Sequence, residues 1–142
     1  VHCDVKPQNL LLECTGGLYL VRLCDFGLAA RPGAGGLVPF AGLRGTSGWF
    51  APEELLRLDF GAAVDLFALG LVVFRMLAGY APFDPASACL HCGVELDDRY
   101  WSHISEPCQD MVLQLLSFEP AARGTSAAAR GHPWLAGPAP AE

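Results

Sequence analysis

The chain has 142 residues, a formal net charge of −6, 52% hydrophobic and 17% charged residues. That size and balance suit one globular domain with its own core and exclude a disordered chain. The acidic charge, with no Lys/Arg cluster, excludes a nucleic-acid footprint. The longest apolar run, residues 66–74, is far shorter than the ~18 residues of a membrane span.

The chain opens on V-H-C-D-V-K-P-Q-N-L-L-L, which sets Asp4, Lys6 and Asn9 at offsets 0, +2 and +5. An acid, a cation and a neutral amide on one short loop suit phosphate chemistry. The carboxylate can orient a hydroxyl and take its proton. The ammonium can neutralise a phosphate oxygen, and the amide oxygen can hold Mg²⁺. Residues 10–13 and 18–24 read as two short strands around Thr15-Gly16-Gly17, a β-hairpin that would set Asn9 and Asp25 at neighbouring strand ends. Residues 28–50 are rich in glycine and read as one long loop.

Pro52 suits a first helical turn, so residues 53–58 are expected to form a short helix. Residues 62–78 form the clearest helix. It is apolar on every face, and so is expected to be a post buried all round, stopped by Gly79. Residues 86–93 allow a weak helix. Ser105 reads as an N-cap, and Cys108, Met111, Val112, Leu115 and Leu116 recur at helical offsets along one apolar face. Residues 125–130 close with a last short helix, packed by His132-Pro133-Trp134-Leu135. Residues 136–142 read as a frayed Ala/Pro tail. The chain starts without methionine, already inside a motif, and no secretory signal opens it. The expectation is therefore a part of something larger, with its six cysteines as free thiols in a reducing, cytoplasmic setting.

The order of motifs carries a family resemblance. Asp25-Phe26-Gly27 follows Asn9 at sixteen residues, and Gly45-Thr46 and Ala51-Pro52-Glu53 come later. Asp65 to Gly70, Gly79, Pro82 and Phe83 follow, and Tyr100 to Ser105, Pro120, Arg123 and His132 to Leu135 close the chain. This resembles a eukaryotic protein kinase from its catalytic loop onward, over residues 1–135. The closing set is most like the calcium/calmodulin-dependent group. The resemblance implies a mainly α fold: the helical C-terminal lobe, with a small β-hairpin carrying the catalytic and metal-binding loops, and no N-terminal lobe. It implies transfer of the γ-phosphate of Mg-ATP to Ser/Thr hydroxyls of a protein substrate.

The resemblance also implies roles. Asp4 would accept the substrate hydroxyl proton, and Lys6 would neutralise the γ-phosphate and mark Ser/Thr specificity. Asn9 and Asp25 would hold Mg²⁺, and Leu11 would floor the adenine pocket. Thr46 would seat the substrate alcohol against Asp4 and Lys6. Glu53 and Arg123 would form a structural ion pair, and Asp65 would accept backbone hydrogen bonds from the catalytic loop. His2 reads as a packing and hydrogen-bonding residue.

Two departures qualify the resemblance. Cys3 stands where the family usually has an arginine that pairs with an activation-loop phosphate, and residues 28–50 hold only two hydroxyls, Thr46 and Ser47. The expectation is a kinase not switched by phosphorylation there. The Gly-rich nucleotide loop, the strand lysine and its glutamate partner do not precede the catalytic loop, so the chain alone is expected to be nearly inactive. The alternative is a pseudokinase or scaffold that uses the fold for binding. Cys89, His91 and Cys92 offer a weak zinc motif, and Cys24 is a candidate reactive thiol beside the nucleotide.

Overall fold

A computed structural model describes residues 1–136, so all of the expected tail but Ala136 lies outside the described residues. The chain begins with β1 (Leu10–Thr15) and β2 (Leu18–Leu23). It continues through α1 (Pro52–Leu55), α2 (Ala63–Ala78), α3 (Asp98–Trp101), α4 (Glu106–Leu115), α5 (Ser126–Arg130) and α6 (Pro133–Ala136). Short 3-10 turns span Pro7–Asn9, Ala86–Leu90 and Pro120–Arg123. The described fold is mainly helical with one two-stranded sheet. No helix among these residues is long and apolar enough to cross a membrane.

Helix α2 organises the core. Its Val64, Phe67, Leu71 and Phe74 are buried with Phe83, Trp101, Val112 and Leu116. Gly70 allows α4 to lie against it: a Cβ there would stand 2.9 Å from Leu115 Cβ. The helix is not buried all round, however. Met76 in the last turn is 78% exposed, and Arg75 beside it is half-buried, its guanidinium lying 4.5 Å from the Trp49 ring centre. Composition reported the apolar faces, and packing left one of them uncovered.

The hairpin register pairs Leu10 with Leu23 and Thr15 with Leu18. The Gly16-Gly17 turn has φ of 60° and 81°, the pair of positive values that a tight hairpin turn of matching twist needs. Apart from Leu10, the strand residues are all exposed, Leu18, Tyr19 and Leu12 among them. The base of the ribbon is closed by Cys24 N–H donating to Asn9 O at 2.9 Å.

Residues 28–50 contain no helix and no strand. The loop is pinned by the Val38–Phe60 bridge and by Phe40 N–H donating to Asp59 Oδ1 at 2.9 Å. Helix α1 stops at Leu55, short of the expected residue 58. Arg57 takes φ 60°, and Leu58 N–H reaches back to Glu53 O, a left-handed helix terminus.

The stretch 86–93 holds a 3-10 turn in place of a helix. Ser105 sits at the N-cap of α4, but its side chain makes no capping bond. Gln109 ties the helix start instead, donating to the carbonyls of Trp101 and Ile104. Thr125 caps α5 by accepting Ala128 N–H, so that helix starts one residue later than expected. Ala136 ends α6 instead of opening the tail. Trp134 packs on Leu66, Met111, Leu115 and Ala129.

Candidate active site

The first turn of α2 fixes the opening loop. Asp65 Oδ2 accepts His2 N–H at 2.7 Å, and its Oδ1 accepts Cys3 N–H at 2.9 Å. Cys3 holds φ 67° there. The His2 ring, buried, bridges two segments: Nδ1 accepts Asp4 N–H at 3.3 Å and Nε2 lies 3.0 Å from Cys24 O. Its edge meets Phe26 at 5.0 Å between ring centres. A short loop that would otherwise wander is thus tied to the post behind it and to the strand end beside it.

Three side chains meet in this frame. Lys6 Nζ donates to Asp4 Oδ2 at 2.7 Å and to Thr46 Oγ1 at 2.5 Å. The Thr46 hydroxyl donates its single proton to Asp4 Oδ1 at 2.8 Å. Asn9 Nδ2 adds bonds to Asp4 O at 2.8 Å and to Asp4 Oδ2 at 3.1 Å. Burial alone would raise the Asp4 pKa. The hydrogen bonds from Lys6 and Thr46, the Lys6 charge and the Asn9 amide outweigh it and hold the carboxyl below its ordinary value. The carboxylate is therefore ionised at neutral pH, with an aliphatic alcohol on one oxygen and a cation on the other.

Gly45 brings Thr46 this close. It has φ 123°, and a Cβ there would fall 2.5 Å from Cys3 O. The sequence showed Gly45 as part of a motif but not as the point where two loops touch.

Asn9 and Asp25 flank the base of the hairpin. The amide nitrogen of Asn9 is spent on Asp4, which leaves Oδ1 without a protein hydrogen bond among the described residues. Asp25 is exposed at φ 62°, and among the described residues only Gly27 N–H reaches its carboxylate, at 3.2 Å. Hard oxygen donors on adjacent chain ends fit Mg²⁺. Leu11, on β1, is 54% exposed and is not part of the core.

Two acids lie behind the site. Glu53 meets Arg123 through paired bonds of 2.7 and 2.9 Å, and Arg123 is fully buried. The remaining guanidinium donors go to the carbonyls of Ala63, Ser117 and Phe118, and the plane lies 4.9 Å from the Phe67 ring centre. All five N–H groups are used. Glu54, which sequence reading passed over, is buried and accepts Ala51 N–H at 2.9 Å. Its carboxyl is pushed up to about 7, chiefly by burial. The Glu53 and Asp65 charges add to that rise, while the Ala51 bond and Arg123 act against it. An acid three residues after Ala51, at the start of a helix, was the available signal.

Cys3 is buried near Asp65 and Glu54. Burial, with Asp65 and Glu54, pushes its thiol pKa up, so it stays neutral. Cys24 is half-buried. Cys89 is buried and Cys92 exposed, and among the described residues no group of three or more His, Cys, Asp or Glu could hold a metal ion.

Comparison with known proteins agrees with this geometry. The family model described as protein kinase domain matches residues 1–135. The calcium/calmodulin-dependent protein kinase cmkA of Emericella nidulans is 37% identical over 150 residues, covering 96% of this chain and 34% of the relative. The calcium/calmodulin-dependent protein kinase type 1 of Macrobrachium nipponense is 37% identical over 143 residues, 96% of this chain and 41% of the relative. The type 1B enzyme of Rattus norvegicus is 38% identical over 145 residues, 98% of this chain and 41% of the relative. The chain thus spans 34–41% of the length of these relatives.

Proposed function

Because the chain belongs to the protein kinase domain family, we propose that it forms the helical C-terminal lobe of a serine/threonine protein kinase that transfers the γ-phosphate of ATP to protein hydroxyls. One observation carries this reading: Asp4 holds the Thr46 hydroxyl and the Lys6 ammonium on its two oxygens. The arrangement already binds an alcohol as a substrate alcohol would be bound. Asp4 orients the serine or threonine hydroxyl and takes its proton as the oxygen bonds to the γ-phosphorus and ADP leaves. Lys6 balances the charge on the phosphoryl oxygens, and Thr46 selects an aliphatic alcohol by lying against both. Most of the catalysis is positioning and charge neutralisation, which this rigid set of groups supplies.

Asn9 Oδ1 and the Asp25 carboxylate would hold Mg²⁺. When bound, the ion supplies charge neutralisation on the ATP phosphates. Leu11 offers an exposed apolar side chain for the adenine ring. The six free cysteines support a reducing, cytoplasmic location.

Activity without loop phosphorylation belongs to the same reading. Cys3 offers no cation for a phosphate, and the Thr46 hydroxyl is committed to Asp4 and Lys6. Phosphatase treatment of the full-length protein should leave its rate unchanged. A loop phosphate whose removal abolishes transfer would overturn this part.

The main test is Asp4→Asn in the full-length protein. Phosphorylation of protein should fall by about 10²–10⁴-fold, the usual share of a general base, while ATP binding by calorimetry persists. Equal transfer in both forms would sink Asp4 as the base, and no transfer in the wild type would favour a scaffold.

A further inference from the structure

Arg75 is a cation beside the alcohol-seating turn that the catalytic arrangement does not use. It sits in the last turn of α2, half-buried, with its guanidinium carbon 4.5 Å from the centre of the Trp49 ring. Its Nε is sealed from solvent and has no hydrogen-bond partner, and Arg75 makes no ion pair among the described residues. The contrast with Arg123, whose five donors are all satisfied, is sharp. A partly desolvated guanidinium with unmade bonds favours an incoming anion, because the cost of removing water from the cation is already met by the fold. Its planar fork matches a carboxylate.

The place matters as much as the charge. Trp49 N–H donates to Thr46 O at 3.2 Å, so Arg75 packs on the same turn that presents Thr46 to Asp4. With Gly48, Phe50 and Phe83 it lines a small pocket beside that turn. Among the described residues no carboxylate pairs with it. Glu53 is committed to Arg123, Glu54 is committed to Ala51 N–H, and Asp84, next to Phe83 on the lining loop, makes no ion pair. Arg44, two residues before Thr46, is exposed and also unpaired among the described residues. A chain of net charge −6 therefore presents unneutralised cations at the edge where the acceptor hydroxyl would enter.

We infer that Arg75, seated on Trp49, forms a subsite that selects protein substrates carrying an aspartate or glutamate close to the phosphorylated hydroxyl. The inference rests on the kinase reading above, and it adds the substrate class. A guanidinium that only shields Trp49 would do so through its stem and ring stacking. Such a role is indifferent to the charge of a peptide.

The experiment uses the full-length protein and fluorescein-labelled serine peptides of equal length, flanked by glutamate, by alanine or by arginine. Binding is read by anisotropy and transfer by kcat/KM with ATP. The wild type should bind the glutamate peptide about tenfold more tightly than the arginine peptide at low salt. Arg75→Gln should erase most of that preference, and Arg75→Glu should reverse it. Equal binding of the acidic and basic peptides by the wild type overturns the inference. So does an unchanged preference in Arg75→Gln, which keeps the side-chain bulk should Arg75→Glu not fold. Discrimination in binding without any phosphoryl transfer supports the subsite and removes the kinase reading instead.

Discussion

Two of this molecule's carboxylate–cation pairs are built for opposite purposes. Glu53–Arg123 is closed: the arginine is fully buried, and every donor is satisfied by a carboxylate or a carbonyl. Asp4–Lys6 is open: Lys6 is 18% exposed, and the third member, Thr46, comes from a loop without regular structure. The closed pair ties α1 to the Pro120–Arg123 turn and has no room for another molecule. The open pair holds an alcohol by bonds that a substrate alcohol could share. Saturation separates a structural ion pair from a working one more clearly than distance does, since the short bonds in both are 2.7 Å.

Breaking the closed pair should give the largest effect. Arg123→Met strands Glu53 in the interior and should cost about 3–5 kcal/mol by urea denaturation. Adding Glu53→Leu should recover much of that loss, as expected when the penalty is an unpaired buried charge. An unperturbed midpoint in Arg123→Met would mean that the pair is solvated.

Glu54 sharpens the comparison through pH. Its carboxyl is raised from 4.5 to about 7 in the fold. In that window the folded chain keeps a proton that the unfolded chain has released, so stability falls as pH rises and levels off above 7. The loss should reach ~3 kcal/mol between pH 4.5 and 8 and should vanish in Glu54→Gln. An identical pH profile in both proteins would remove Glu54 as the cause.

The open pair should break more quietly. Gly45→Ala drives a methyl group toward Cys3 O and displaces Thr46. Transfer should drop by about 10²-fold with a smaller change in melting temperature. Unchanged transfer would show that Thr46 need not touch Asp4. Smallest of all, Thr46→Val removes one bond to each partner and should lower transfer about tenfold. Thr46→Ser should keep most of the rate.

The sequence disclosed what local spacing and composition control. Asp4, Lys6 and Asn9 share one turn, so their meeting needed only a loop. Gly16-Gly17 announced the hairpin that brings Asn9 to Cys24, and residues 62–78 were apolar enough to name the central helix, which starts one residue later. The misses depend on contacts across distance. Nothing local marks Gln109 as the residue that satisfies Trp101 O and Ile104 O, or Ser105 as a cap whose side chain stays unused. Helices α3 and α6 have four residues each, too few for a periodic signal. Met76 is apolar yet exposed, because helix composition does not say which flank neighbours will cover. Arg75 needed Trp49 beside it before its missing partners meant anything.

The hairpin has a further consequence for the order in which the molecule comes apart. A lone two-stranded ribbon whose side chains face water has little beyond its ladder to resist fraying. Its amides should exchange with deuterium through local opening, at rates insensitive to denaturant, while those of α2 should require global unfolding. The protection boundary should fall at the Cys24–Asn9 bond, where the ribbon meets the loop anchored by Asp65. Asn9 and Asp25 therefore lie on either side of a clasp between a labile unit and a stable one.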